Sequence, residues 1–129
     1  MATNAKNAAL VIGILLLIVG ALGFVRNPVV GPTGYFITNA THNWVHIVSG
    51  IVLLLGAFAS AGSFGPGLAL RFVGAVYALF AVIGFLMPTD MMFGMVAMNA
   101  ADRWLHVVLA IVILYAGFAL APATKPATA

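Results

Sequence analysis

The sequence contains no cysteine and no glutamate, and only two of its 129 residues are acidic. The lack of cysteine excludes disulfides, thiolate metal sites, cysteine nucleophiles and covalently attached c-type haem. The two acids, Asp90 and Asp102, cannot be assigned as a general acid/base pair from their spacing alone. The five Lys and Arg residues are dispersed, which argues against nucleic acid as a partner. The sequence therefore predicts a protein that is not an enzyme.

Patterns typical of hydrolases, nucleotide-binding proteins and transporters are also missing. Ser49 follows His46 by three residues on an ordinary predicted helix, without the strained turn of a serine nucleophile. No Gly-rich phosphate loop occurs. Transporters place ionisable groups near the bilayer midplane, where this chain offers only Tyr77 and Tyr115. We expect these tyrosines to form interhelical hydrogen bonds.

What the sequence does contain is hydrophobic residues, at 64% of the chain, with a mean hydropathy of +1.20 and only 5% charged residues. A bilayer core of about 30 Å requires about 20 helical residues. Because backbone groups in lipid must be satisfied within the segment, runs of this length predict helices. The four predicted spans are Asn7 to Val25, Trp44 to Ala61, Leu68 to Met87 and Arg103 to Ala121. The fold class is therefore all-α integral membrane, and the first span is a retained helix without a cleavage site.

The chain carries an internal repeat of sixty residues. Segment NATHNWVH, residues 39–46, returns as NAADRWLH, residues 99–106. Shared Pro, Gly, Asn, Trp and His residues are unlike the chance matches that apolar residues produce. The matched pairs include Pro28/Pro88, Gly34/Gly94, Asn39/Asn99, Trp44/Trp104 and His46/His106, and a one-residue gap adds Gly13/Gly74, Gly23/Gly84 and Phe24/Phe85. The sequence thus predicts two tandem-duplicated helical hairpins.

Each hairpin holds two spans, so both copies enter the membrane in the same sense, related by a pseudo-twofold axis along the bilayer normal. We predict one transmembrane domain, residues 1–121, with repeats at about 7–61 and 68–121, and a disordered tail at 122–129. The loops after helices 1 and 3, about fifteen residues each, are expected to lie on the membrane surface or to fold back over the bundle, with a short helical turn.

Charge placement predicts the orientation. Lys6, Arg71 and Lys125 lie on the face that holds both termini, whereas Arg26 and Arg103 lie on the opposite face. Three basic residues on the face with the termini, against two on the other, favour cytoplasmic termini. The repeated polar segments then lie at the outer side of the membrane.

Part of each polar segment is explained as the start of a helix. Asn39, Thr41, Asn43, Asn99 and Asp102 are residue types that cap helix N-termini. The tryptophans fit the aromatic belt at the lipid headgroups. Neither explanation accounts for the histidines, which are predicted about three residues inside their helices, where an unpaired polar group is costly.

Four side chains form the candidate site. His42 and His46 are four residues apart and share one helix face, and so do Asp102 and His106. If helices 2 and 4 face each other, these four converge into a set that suits tetrahedral Zn(II), and also Cu(II), Ni(II) or Fe(II). The alternatives are direct hydrogen bonds that lock the hairpins together, a bis-histidine haem b, and a lipid or quinone headgroup site.

The motifs resemble those of a bacterial family of four-helix membrane proteins of unknown function, DUF4383. The resemblance covers nearly the whole chain before the tail, and its most specific parts are residues 42–46 with Gly50 and residues 101–106. In that family an Asn often stands at the position of Arg103 and a Gly at the position of Ala110. The resemblance implies four spans and the importance of both polar repeats, and it implies no established activity.

From the sequence we expect a small non-catalytic membrane protein, a scaffold or accessory subunit that forms a homo-oligomer or joins a larger membrane complex. Its short loops leave little surface outside the lipid. The alternative is a metal-binding protein (Zn, Cu or Fe) that uses His42, His46, Asp102 and His106, or a haem protein that uses the same cluster.

Overall fold

A computed structural model describes residues 2–59, 64–87 and 89–121. Its elements, in chain order, are α1 (Ala2–Leu22), β1 (Val30–Gly31), β2 (Phe36–Ile37), α2 (Ala40–Phe58), α3 (Pro66–Leu86), β3 (Met91–Met92), β4 (Val96–Ala97) and α4 (Ala100–Ala119). All four helices are long and apolar enough to cross a membrane. The prediction of a four-span helical membrane protein is thereby confirmed. The predicted tail at 122–129 and the predicted end of the second span at Ala61 lie outside the described residues.

Helices α2 and α4 begin earlier than predicted, at residues 40 and 100 rather than 44 and 103. The cause is the N-cap: the side chain of Asn39 accepts a hydrogen bond from the amide of His42, and Asn99 accepts one from the amide of Asp102. Asp102 itself therefore lies inside the first turn of α4 rather than at a cap. The earlier start also places His46 about one turn deeper in α2 than the sequence predicts.

Two helix pairs build the bundle, α1 packed along α2 and α3 packed along α4, and they meet mainly through α2 and α3. In the first pair the backbones approach closely at Gly13 and Gly50, where a methyl group on Gly50 would lie 2.7 Å from the Gly13 carbonyl oxygen. The buried core consists of small and branched residues from all four helices, with the ring of Tyr77 at its centre. Large apolar side chains cover the outside of each helix, as contact with lipid requires.

Both long loops contain a pair of two-residue strands, so the short helical turn predicted there is wrong. β1 pairs with β2 in parallel, and β3 pairs with β4 antiparallel. Tight turns make these pairings possible: Gly94 has φ 68° and Gly31 has φ 138°, a conformation that favours glycine. The strands give the loop amides partners at the end of the bundle where α2 and α4 begin.

Each N-cap asparagine also binds the loop of the other hairpin. Asn39 donates through Nδ2 to the Met95 carbonyl at 2.8 Å and accepts through Oδ1 from the Ala97 amide at 3.3 Å. These two bonds tie the start of α2 to β4. The corresponding bonds of Asn99 join it to the Tyr35 carbonyl at 2.9 Å and the Ile37 amide at 3.3 Å. Each loop thus fixes the helix start of the other hairpin, directly above the histidines.

Candidate metal centre

The four side chains singled out from the sequence lie together inside the bundle. His42, His46, Asp102 and His106 come from one face of α2 and one face of α4, and each is 2% exposed or less. Histidine and aspartate are rarely buried so completely unless they are paired or bind a metal. The convergence predicted for these residues is present, and it occurs in the protein interior rather than against lipid.

The three imidazoles form a compact triangle. Ring centroids are 4.6 Å apart for His42 and His46, 5.2 Å for His42 and His106, and 6.0 Å for His46 and His106. One ring nitrogen from each lies within 4.8 Å of the other two. Metal–imidazole bonds of about 2.0–2.1 Å would draw these nitrogens closer together.

Backbone carbonyls fix the orientation of two of the rings. Nδ1 of His42 lies 2.6 Å from the carbonyl oxygen of Ala97, and Nδ1 of His106 lies 2.9 Å from the carbonyl oxygen of Asp102. A carbonyl only accepts, so each Nδ1 carries the proton and each Nε2 keeps a free lone pair. Metal-ligating histidines are held in this way, with the second ring nitrogen donating to a carbonyl or carboxylate.

The carboxylate of Asp102 lies on the Nδ1 side of two rings. Its Oδ2 is 3.4 Å from Nδ1 of His42, and its Oδ1 is 3.5 Å from Nδ1 of His106. These distances permit charge attraction but exceed the usual hydrogen-bond length. Within the described part of the chain, neither oxygen has a hydrogen-bond partner. Asp102 is thus positioned to orient the rings and supply negative charge, whereas the sequence suggested it as a fourth ligand.

Several buried nitrogens in the cluster lack partners. Neither ring nitrogen of His46 forms a hydrogen bond with the residues that the structure describes, and the same holds for Nε2 of His42. Leaving a buried polar atom unpaired costs about 1–3 kcal/mol. A neutral imidazole has one lone pair, so His42 and His46 each offer one unpaired lone pair, which a metal ion would bind.

Tyr77 of α3 belongs to the same cluster, which the sequence did not reveal. Its ring is fully buried and stacks on His106 at 5.4 Å and 13°, and on His46 at 6.2 Å and 21°. Ser49 of α2 is the hydrogen-bonding neighbour of its hydroxyl, which is an interhelical contact of the kind expected from the sequence, although the pair lies outside strict hydrogen-bond geometry. Tyr115, the other predicted bonding tyrosine, is 65% exposed on the outside of α4. No pattern within α3 distinguishes Tyr77, because the residues it contacts lie on other helices.

An apolar groove of about 580 Å³ runs between α2 and α3 beside the cluster. Trp44 and Phe72 line it, together with Phe80, whose ring lies 6.5 Å from His106. Ser49 and Thr41 are its polar lining residues. A lipid chain fits such a surface, but the histidine nitrogens are too buried to be part of it.

Comparison with known proteins identifies one family. Residues 6–119 match the family described as "Domain of unknown function (DUF4383)", which confirms the resemblance noted in the motifs. No curated protein and no solved structure matches the chain.

Proposed function

The chain belongs to the DUF4383 family, and we propose that it is a multi-pass membrane protein that binds one transition-metal ion between α2 and α4. The ligands are ring nitrogens of His42, His46 and His106. The observation that carries the proposal is their geometry: three buried imidazoles, each with a nitrogen within 4.8 Å of the others. Imidazole nitrogen suits Zn, Cu, Fe and Ni.

The surroundings of the rings support a metal over a purely structural cluster. Direct hydrogen bonds between histidines would satisfy their nitrogens, yet both nitrogens of His46 lack a partner within the described residues. The Nδ1 bonds of His42 and His106 to carbonyls, with Asp102 nearby, supply the orientation that a metal site requires.

The distances favour a single ion over haem b. A porphyrin requires a wide planar slot between its two axial histidines. Between His46 and His106 that slot is crowded by the ring of His42, whose centroid is 4.6 Å and 5.2 Å from theirs. Tyr77 stacks on the far side and closes the site further.

Two finer features of the architecture belong to this proposal. We propose that the hairpins arose by duplication and are related by a pseudo-twofold axis along the bilayer normal. The reciprocal bonds of Asn39 and Asn99 support this, and so do the matching edge-on ring pairs Phe24–Trp44 at 5.8 Å and Phe85–Trp104 at 5.0 Å.

We also propose a bacterial inner-membrane location with cytoplasmic termini, which places the metal site toward the outer face. Because the chain has no cysteine, single introduced cysteines test this topology without background labelling. A role as scaffold, accessory subunit or homo-oligomer stays a prediction, since the exposed apolar surfaces suit lipid and a protein partner equally.

The test is metal analysis of detergent-purified protein that carries no polyhistidine tag. The chain has only three histidines, all in the cluster, so no other imidazole contributes. We expect about one ion per chain, either as isolated or after incubation with Zn(II) or Cu(I) and desalting. Bound ion should also raise the thermal midpoint, since an ion at 100 times its Kd stabilises by about 2.7 kcal/mol.

The variant His46→Gln should lose at least about 100-fold in affinity, because it removes a ligand that has no other bonding role. Ser49→Ala is the matched control, one turn further along the same helix and also buried. Protein that retains no ion under any of these conditions, or a His46→Gln variant with unchanged affinity, would overturn the proposal.

A further inference from the structure

We infer that the ion is Cu(I), and that the exposed thioethers of Met91 and Met95 bind it first and pass it to the three histidines. The inference rests on the proposed metal site and adds the identity of the metal and its route. Three observations carry it: the charge of the site, the number of its ligands, and the composition of the loop that covers it.

The site contains one buried carboxyl group. Asp102 is the only carboxylate of the cluster, and apart from the imidazoles no basic side chain of the described residues lies within 4.0 Å of it. The neighbouring Arg103 turns away and bonds to Thr89 and Asp90. Uncompensated charge in a membrane interior is costly. A monovalent cation balances Asp102, whereas a divalent one leaves a net positive charge.

The number of donor atoms also favours Cu(I). The structure brings together three imidazoles, and Asp102 faces the Nδ1 atoms that already bond to carbonyls. Zn(II) in proteins almost always takes four ligands, the fourth being a side chain or water. Cu(I) is also stable with only three ligands. A closed site with three nitrogens therefore fits Cu(I) without an added ligand.

The loop between α3 and α4 is rich in the soft donors that select Cu(I). Five of the six methionines of the chain lie in residues 87–98, and the loop between α1 and α2 has none. Met92 and Met98 are buried and pack against the bundle. Met91 and Met95 are 44% and 59% exposed, so their sulfurs are available.

These two methionines contact Asn39, the N-cap of α2, three positions before His42. The amide Nδ2 of Asn39 contacts Sδ of Met91 at 3.8 Å and donates to the carbonyl of Met95 at 2.8 Å, which places both residues at the start of α2. Two residues after Met95, the carbonyl of Ala97 holds the ring of His42 at 2.6 Å. The segment that carries the exposed sulfurs thus also supplies, at Ala97, the carbonyl that contacts a buried ring of the cluster. An ion that moves along it exchanges ligands without any change of oxidation state.

The first experiment compares ions on the full-length wild-type protein in detergent. Cu(I) is supplied anaerobically with ascorbate, Ag(I) serves as a redox-inert monovalent probe, and Zn(II) is the divalent comparison. We expect one equivalent of Cu(I) or Ag(I) to be retained against a competing chelator, with an affinity at least about 100-fold above that for Zn(II). X-ray absorption of the Cu(I) form should show a nitrogen-dominated shell with three ligands.

The outcomes separate this inference from the proposed function. Stoichiometric Zn(II) held more tightly than Cu(I) would overturn the inference and leave the metal site standing. Failure to retain any of the three ions would overturn both.

The second experiment measures loading rates. Met91→Leu combined with Met95→Leu keeps side-chain volume and removes both sulfurs, so we expect Cu(I) to load at least about 10-fold more slowly but to the same final occupancy. Met92→Leu is the matched control, the same change one residue away at a buried position, and should load like wild type. Equal loading rates for all three proteins would refute the route through Met91 and Met95.

Discussion

The two hairpins of this chain carry matching polar segments, but the segments differ in the side chains that they place in the cluster. Histidine occupies matching positions at 46 and 106, but position 42 carries histidine where position 102 carries aspartate. All four side chains point into one interior cluster. The first half therefore supplies two of the nitrogens, and the second supplies one nitrogen and the only negative charge. Two hairpins with matching polar segments thus contribute unequally to one cluster.

The loops differ in the same manner. Each contains a two-stranded pairing and each receives hydrogen bonds from the asparagine of the other hairpin. Only the second contains methionine, and only its Ala97 carbonyl holds a ring of the cluster. In the loop of the first hairpin, the side chain of Asn27 forms hydrogen bonds with the backbone of Val25 and Val30.

Among the variants that test this comparison, the largest change in metal affinity should come from removing the carboxylate that only the second hairpin contributes. Asp102→Asn keeps the shape of the side chain but removes the charge that balances the ion and attracts two Nδ1 atoms. We expect metal affinity to fall about 10- to 100-fold, as when the outer partners of metal ligands are replaced. Competition titration measures this. Asp90→Asn, an exposed carboxylate paired with Arg103, is the control and should bind normally; an equal loss in both variants would contradict the role given to Asp102.

A second comparison concerns the helix contacts. In the first hairpin a methyl group added at Gly50 would lie 2.7 Å from the Gly13 carbonyl oxygen and 2.9 Å from Leu17, whereas the matching position of the second hairpin already carries Ala110. Gly50→Ala should lower the free energy of unfolding by about 1–3 kcal/mol through overpacking. Ala110→Gly should cost about 1–2 kcal/mol, through helix propensity and through the loss of a buried methyl group. Thermal denaturation in detergent compares them, and a stabilised Gly50→Ala variant would show that the helices can separate there without cost.

The smallest effect, and the sharpest comparison, concerns the two cap residues. Asn39→Ala and Asn99→Ala each remove a helix cap and should cost about 1 kcal/mol. Only Asn39 also bonds to the loop that carries Met95 and Ala97, so only its loss should slow Cu(I) loading.

The cap and the loop contact separate further in Asn39→Ser, which keeps an oxygen acceptor for the cap and loses the donor to Met95. This variant should be nearly as stable as wild type but should load slowly. Equal loading by the two alanine variants would mean that the loop contact does not affect the metal.

The sequence alone predicted the four helices well, because few backbone conformations satisfy their hydrogen bonds in lipid. Uninterrupted apolar runs of this length must be helical, and shared polar residues sixty positions apart mark both hairpins. His46 and His106 were found for the same reason: a polar side chain in a predicted span stands out against apolar neighbours. His42 lies before the predicted span and was found by its spacing of four residues from His46.

What the sequence did not predict depends on contacts between distant segments. The short strands occupy only two residues each, too few for any periodic pattern. The place of Tyr77 beneath His106 depends on how α3 packs against α4. The helix starts were misplaced because Asn39 and Asn99 were among several polar residues that could each have been the cap.

The reciprocal asparagine bonds have a consequence for biosynthesis. When the ribosome has produced only the first hairpin, the amide of Asn39 has no Met95 carbonyl to meet, and the ring of His42 has no Ala97 to hold it. The newly inserted first half is therefore left with exposed polar groups at its membrane surface until translation delivers the second. Final assembly has to wait for the last helix, and the histidine cluster is among the last parts of the molecule to form.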